Sequence, residues 1–84
     1  MRAIFHKSFR KKFDRLPIAI QGKFRERLAR FLKDRHDTLL NNHPIGKAFP
    51  GCRSINVTGD YRAVFKEDGD TAIFITIGTH SDLY

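Results

Sequence analysis

The chain has 84 residues, of which 40% are hydrophobic, and its 16 Lys and Arg against 9 Asp and Glu give a formal net charge of +7. This length suits one domain, residues 1–84, and the excess of positive charge favours nucleic acid as a partner over an acidic protein or an anionic membrane surface. Because a single cysteine excludes an internal disulfide, and neither a membrane span nor a signal sequence is recognisable, we expect a soluble cytoplasmic protein.

The N-terminal half of the chain has the pattern of a short strand followed by two helices. Residues 1–6 suit the strand, and Ser8 can cap the first helix. Pro17 is expected to end that helix and to lie in the first turn of a second helix over residues 17–35. The apolar stripe of the second helix consists of Ile20, Phe24, Leu28, Phe31 and Leu32. Two helices joined so closely are expected to form an antiparallel hairpin.

The C-terminal half has the pattern of a loop followed by three strands. Turn-forming residues predict the loop between Asp37 and Gly51. Three runs typical of strands follow at residues 53–58, 61–66 and 71–77, separated by turn signals at Gly59 and Gly69. The predicted order is β-α-α-β-β-β, an α+β fold in which the helical hairpin packs on one face of a small, mostly antiparallel twisted sheet.

The alternation of side chains along a strand predicts which residues occupy each face of the sheet. The residues expected to face the helices are Ile55, Val57, Tyr61, Ala63, Phe65, Ile73, Ile75 and Ile77. The opposite face then presents the polar and cationic residues Ser54, Asn56, Arg62, Lys66 and Thr76. Arg53 belongs by position to the apolar face, unless a bulge or the start of the strand redirects its side chain.

Two runs in the C-terminal half, residues 59–66 and 77–84, carry a family resemblance. Together they resemble the corresponding part of toxins of the RelE/ParE superfamily of type II toxin–antitoxin systems. The Gly-Thr-His ending, with an aromatic residue four positions after the histidine, is most similar to the YafQ-like branch. The segment from Asn42 to Gly46, which contains His43 and Pro44, also matches that branch.

The resemblance implies an endoribonuclease that cleaves mRNA on the translating ribosome and needs neither a metal nor another cofactor. In such a reaction the 2′-hydroxyl of the RNA attacks the adjacent phosphate, which requires a base, an acid and cations near the developing charge. The resemblance also implies a cognate antitoxin that covers the cationic face of the toxin, with DNA contacted only through the toxin–antitoxin complex. It implies no membrane partner.

Four residues are expected to take part in catalysis. His80 is predicted to transfer protons, because an imidazole can act as acid or base near neutral pH, although a histidine can also simply bond a strand end. Arg62 lies on the predicted open face, where its planar guanidinium can hold a phosphate or merely be solvated. His43 and Asp60 match site residues of the family, and both are also ordinary turn residues.

The remaining predicted site residues are expected to contact RNA. Tyr84 would stack on a base, although a terminal residue can also fray. Phosphates and polar groups of the RNA would be contacted by Arg53, Asn56, Lys47 and Lys66. Two positions depart from the YafQ-like pattern, since Asn56 replaces a histidine and Thr76 replaces an arginine. Asparagine does not titrate, so a scheme with three histidines is in question, and Arg62 or Arg53 would have to supply the missing cation.

Two other functions are also compatible with the sequence. A ParE-like toxin shares the fold but poisons DNA gyrase by binding, without cleaving nucleic acid. A catalytically degenerate toxin would be only a basic binding module. His80 and Arg62 favour the nuclease, because a gyrase-binding protein needs no group for proton transfer. The histidines and Cys52 lack the spacing of metal ligands, so no metal site is expected.

Overall fold

A computed structural model describes residues 1–84 as helices packed on one five-stranded sheet. The elements in chain order are β1 (Arg2–Phe5), α1 (Lys7–Asp14), α2 (Ile18–Lys33), a 3₁₀ turn (Thr38–Leu40), β2 (His43–Pro44), β3 (Arg53–Asn56), β4 (Tyr61–Asp68), β5 (Thr71–Thr79) and α3 (His80–Leu83). The strand order is β1-β5-β4-β3-β2, and only the β1–β5 pair is parallel. The predicted α+β class, with a helical hairpin on a mostly antiparallel sheet, is confirmed.

Besides the 3₁₀ turn, the structure contains two short elements that the predicted order lacks. His43–Pro44, expected in a loop, forms an edge strand that pairs with β3, and two residues are too few to show a strand pattern. α3 begins with a capping box in which the Thr79 hydroxyl accepts from the Asp82 backbone N–H at 3.1 Å. The Asp82 carboxylate accepts in return from the Thr79 N–H at 3.3 Å. This signal could have been recognised, because Thr and an acidic residue three positions apart mark a helix start.

The helix termini differ in detail from those predicted. The cap of α1 is His6, whose Nδ1 accepts from the Ser8 backbone N–H at 3.1 Å, so the prediction that Ser8 caps the helix is wrong. The Ser8 hydroxyl instead donates to the carbonyl of Ile75 at 2.7 Å and ties α1 to β5. Pro17 immediately precedes α2, and that helix ends at Lys33, two residues earlier than expected.

A cluster of phenylalanine rings joins both helices to the sheet. The Phe74 ring on β5 lies with its centroid 5.3–5.8 Å from five other phenylalanine rings. These rings belong to Phe5, Phe9, Phe24, Phe31 and Phe65. Because the five rings come from β1, α1, α2 and β4, one side chain of β5 holds four other elements in place.

An irregularity in the pairing of β4 with β5 changes which side chains face the helices. Phe65 pairs with Phe74, whereas Val64, one residue earlier in β4, pairs with Thr76. Ile75 is therefore an extra residue in β5, which makes a β-bulge. A bulge interrupts the alternation of faces, so side chains before and after it follow different parities.

The bulge makes part of the predicted face assignment wrong. Ala72 and Phe74 pack in the core with the helices, so Ile73 between them faces away, and Ile75 packs in a separate cluster on the far side. Ile77 lies beyond the bulge and faces the helices as predicted. The prediction that a side chain faces the helices is also confirmed for the other five residues, which are Ile55, Val57, Tyr61, Ala63 and Phe65.

The far face of the sheet is partly covered by a second, smaller apolar cluster. Its members are Cys52, Val64 and Leu83, with Ile45, Phe49 and Ile75 packed against them. Ser54 and Thr76, predicted to be presented on an open polar face, are instead buried, and their hydroxyls have no hydrogen-bond partner. Only the ends of this face stay accessible, because the β2–β3 loop and α3 cover its middle.

Replacing Phe74 with alanine is expected to lower the free energy of unfolding by about 3–5 kcal/mol, since the cavity would disrupt contacts with five rings. Urea denaturation followed by circular dichroism measures this loss. Phe74→Leu keeps more of the volume and should lose less. Phe13→Ala is the matched control, because that ring is half-buried and should cost clearly less than Phe74→Ala. Equal losses for Phe13→Ala and Phe74→Ala would contradict the central role of Phe74.

Candidate active site

An open cleft of about 770 Å³ lies at the end of the sheet where β4 begins and β5 runs into α3. Its walls come from three separate parts of the chain, which are the β2 strand with the loop that follows it, the start of β4, and α3. Five of the predicted site residues line this cleft. They are His43, Lys47, Arg62, His80 and Tyr84. The fold thus brings together residues up to about 40 positions apart in sequence.

Arg62 occupies the floor of the cleft because it lies in the central strand. It pairs with Asn56 on one side and Gly78 on the other. Its Nη1 donates to the carbonyls of Thr58 at 3.0 Å and Gly59 at 2.9 Å, which hold the guanidinium against the β3–β4 turn. Nε and Nη2 make no hydrogen bond within the protein, so two donor nitrogens remain to bind a phosphate.

Gly78, near the end of β5, lies against α3. A Cβ at this position would lie 3.4 Å from the Cβ of Asp82 and 3.6 Å from a methyl group of Leu83. These are van der Waals contact distances, so α3 packs closely on the end of the strand. This packing places His80, the first residue of α3, in the same cleft as Arg62.

His80 is fixed through its backbone, and its ring is exposed in the cleft. Its backbone N–H donates to the carbonyl of Asp60 at 2.9 Å. The imidazole forms no hydrogen bond within the protein and lies 4.7 Å, between ring centroids, from the Tyr84 ring one helical turn later. The ring is therefore available to a ligand and is backed by an aromatic face.

His43 lies at the opposite wall of the cleft on the edge strand β2. Its Nδ1 is 2.6 Å from the carbonyl oxygen of Asn41. A carbonyl can only accept, so Nδ1 carries the hydrogen and Nε2 of the neutral ring is left with a lone pair. Asn41, which is not among the predicted site residues, adopts a left-handed conformation with φ 48°. The Asn41-Asn42 pair is a turn signal that could have indicated such a residue.

The charge of the cleft is positive. Lys47 and Arg62 contribute two cations, and no aspartate or glutamate lies among the ten lining residues. Such a surface attracts phosphate groups.

No group of three or more histidine, cysteine or acidic residues is arranged to hold a metal ion, and none of the helices has the length and apolarity to cross a membrane.

Two predicted site residues lie next to the cleft without lining it. Asp60 contributes its backbone carbonyl to His80, while its side chain is exposed at the β3–β4 turn. Asn56 neighbours Arg62 across the β3–β4 pair, and its Oδ1 is buried with no hydrogen-bond partner. Asp60 therefore holds α3 through its backbone, and Asn56 lies beside the floor of the cleft.

Two other predicted site residues lie outside the cleft. Lys66 is exposed four residues further along β4 than Arg62, about 13 Å away at 3.3 Å per residue. Arg53 lies on the helix-facing side of β3, as its position predicts, because it pairs with the helix-facing Phe65. Its Nε donates to Asn42 Oδ1 at 2.7 Å and lies 3.8 Å from Glu67 Oε1. No bulge redirects its side chain towards the cleft.

Comparison with solved structures shows which proteins share this fold. YafQ from E. coli strain BL21(DE3) is 18% identical, with a TM-score of 0.79 over 100% of this chain and 99% of that chain. The YoeB/ParE toxin from Agrobacterium tumefaciens is 16% identical, with a TM-score of 0.76 over 95% of this chain and 99% of that one. The RelB–RelE antitoxin–toxin complex of Methanococcus jannaschii contains a chain that is 23% identical, with a TM-score of 0.76 over 96% of this chain and 94% of that one. At these identities the similarity establishes the fold.

Sequence comparison identifies the family. No curated protein sequence matches the chain. The sequence model of the family described as "ParE toxin of type II toxin-antitoxin system, parDE" matches residues 3–84, which is nearly the whole chain. The β-α-α-β-β-β core and the similarity to YafQ and RelE agree with this match. The chain therefore belongs to the ParE toxin family of type II toxin–antitoxin systems, within the RelE/ParE superfamily.

Proposed function

We propose that this toxin is a metal-independent endoribonuclease that cleaves mRNA on the translating ribosome. The observation that supports the proposal is the convergence of two imidazoles, an arginine with two free donor nitrogens and a lysine on one cleft that no aspartate or glutamate lines. These are the groups that transfer of a phosphodiester to its own 2′-hydroxyl requires. The exposed Tyr84 ring beside His80 adds a surface on which a base can stack.

The proposed reaction assigns a role to each side chain. The 2′-oxygen attacks the phosphorus and the bond to the 5′-oxygen breaks, which leaves a 2′,3′-cyclic phosphate and a 5′-hydroxyl. One imidazole takes the proton of the 2′-hydroxyl and another gives a proton to the departing 5′-oxygen. His80 acts as general acid or base, and His43, with Nε2 able to accept a proton, performs the complementary transfer. Arg62 and Lys47 stabilise the negative charge of the transition state.

The departures from the YafQ-like pattern are compatible with this scheme. Asn56 cannot titrate, and Thr76 is buried beneath the second apolar cluster. Neither residue can therefore replace the histidine and the arginine of that branch. Lys47 in the β2–β3 loop, together with Arg62, supplies the positive charge that Thr76 lacks.

We also propose that a cognate antitoxin silences the toxin. Two of the structures that share the fold are complexes, the E. coli DinJ–YafQ complex and the RelB–RelE antitoxin–toxin complex. An acidic segment of the antitoxin would complement the charge of +7 and cover the cleft. DNA would be contacted only through the toxin–antitoxin complex.

A ParE-like toxin that poisons DNA gyrase without cleaving nucleic acid is the second candidate. The family match and the loss of a titratable group at Asn56 favour it. Induced expression separates the two functions. Primer extension on a translated mRNA, with and without ribosomes, should show cleavage that depends on ribosomes if the toxin is a nuclease. Filamentation with an SOS response and intact mRNA would instead indicate the gyrase poison.

His80→Ala is expected to lower the rate of mRNA cleavage by about 10²–10⁴-fold, because it removes a proton-transfer group, while binding of the antitoxin persists. Quantitative primer extension measures the rate. His36→Ala is the matched control, since that histidine is exposed outside the cleft and should leave cleavage unchanged. Cleavage by His80→Ala at the wild-type rate would exclude the assigned role.

Arg62→Ala is expected to slow cleavage by about 10²–10³-fold and to weaken ribosome binding much less, because the guanidinium acts mainly on the charge of the transition state. Single-turnover cleavage and a sedimentation assay measure the two effects separately. Arg10→Ala removes one exposed arginine of α1 and controls for the change in net charge. A loss of ribosome binding as large as the loss of rate would show that Arg62 only binds.

A further inference from the structure

The strand that carries His43 is held by few backbone contacts. β2 contains two residues, which pair with Ser54 and Arg53. The second of them is Pro44, which has no backbone N–H to donate to the neighbouring strand. An edge strand this short cannot by itself fix the position of a catalytic ring. Side chains must therefore supply the missing restraint.

Asn42, the residue immediately before β2, receives that restraint from two arginines. Its Oδ1 accepts from Arg53 Nε at 2.7 Å, and its backbone carbonyl accepts from Arg53 Nη2 at 3.4 Å. Its Nδ2 donates to the backbone carbonyl of Arg35 at 3.0 Å. Both ends of the side-chain amide are thus bonded, so Asn42 is fastened to the start of β3 and to the segment after α2.

Glu67 on β4 holds the arginines in this arrangement. Its Oε1 lies 3.8 Å from Arg53 Nε, and its Oε2 lies 3.4 Å from Arg35 Nη1. The three side chains are between 32% and 37% exposed, so water screens their charges only in part. The carboxylate thereby balances the charges of the two guanidinium groups, while the single hydrogen of Arg53 Nε goes to Asn42 Oδ1.

The hydrogen bonds that hold Asn42 also restrict the position of the His43 ring. The ring's Nδ1 donates to the carbonyl of Asn41 at 2.6 Å, and Asn42 is the residue between Asn41 and His43 in the chain. We propose that Arg53 is a positioning residue which, through Asn42, holds His43 in the Nδ1–H tautomer with Nε2 free to accept a proton. The consequence for catalysis rests on the proposed nuclease function, whereas the tautomer itself does not.

This role differs from that of a residue that binds RNA. As an RNA contact, Arg53 would use its charge, and the neighbouring Glu67 carboxylate would weaken binding. As a positioning residue, Arg53 needs its Nε and Nη2 donors in a fixed geometry, and Glu67 assists it. The two roles therefore predict opposite effects of removing the Glu67 charge.

The test compares Arg53→Lys, Glu67→Gln and the control Asp68→Asn. Lysine keeps the charge but not the two donors, and Asp68→Asn makes the same charge change as Glu67→Gln at an exposed neighbour without an ion pair. Arg53→Lys should lower kcat about tenfold, because small displacements of a catalytic group are costly, with KM for ribosomes within about twofold. Glu67→Gln should lower kcat in the same direction, and Asp68→Asn should not.

Nitrogen-15 NMR of the His43 ring in the free toxin, at a pH where the ring is neutral, provides a readout independent of cleavage. The wild type and Asp68→Asn should show the Nδ1–H tautomer, and Arg53→Lys should show a mixture with the Nε2–H form. An unchanged tautomer in Arg53→Lys, or tighter RNA binding with undiminished kcat in Glu67→Gln, would overturn the proposal. A tautomer change in a toxin whose wild type cleaves no RNA would support the positioning role and refute the nuclease.

Discussion

The packing of the Phe74 ring against the helices determines where the rest of the molecule lies. Five other rings surround it, so β5 cannot slide or rotate relative to α1, α2 and β4 without opening a cavity. The bulge at Ile75, the next residue of β5, turns Ile77 back to the core before the strand ends. The start of α3, and with it His80, is thereby placed at the mouth of the cleft.

The cleft combines a rigid floor with walls of short elements. Arg62 lies in the central strand and is held by backbone carbonyls, whereas His43 and His80 occupy a two-residue strand and a four-residue helix. Short elements have little stability of their own, so their position depends on specific side chains. The Thr79–Asp82 capping box stabilises α3, and the hydrogen bond between Arg53 and Asn42 holds the chain at the start of β2. Both contacts lie outside the imidazole rings of His43 and His80, whose elements they hold in place.

Sequence patterns predicted the structure correctly where they extend over many residues and wrongly where one residue breaks them. The stripe of α2 and the alternation in β3 and β4 placed Phe24, Phe31 and Phe65 correctly in the core. Ile73 and Ile75 were misplaced because a bulge depends on pairing with another strand, which alternation along one strand does not reveal. Family resemblance led to His43, Arg62 and His80, which line one cleft. It did not reveal that Arg53 bonds within the protein, since that contact depends on Asn42 and Glu67.

The sequence by itself determined the class of the fold, the excess of positive charge and the identity of the groups able to transfer protons or hold a phosphate. These properties depend on periodicity, composition and the chemistry of single side chains, all of which are local. The tertiary structure decided which of those groups meet, which hydroxyls of the far face are buried, and which carbonyl the His43 Nδ1 contacts. Each of these depends on contacts between residues distant in sequence, and such contacts form only when the sheet and helices have packed.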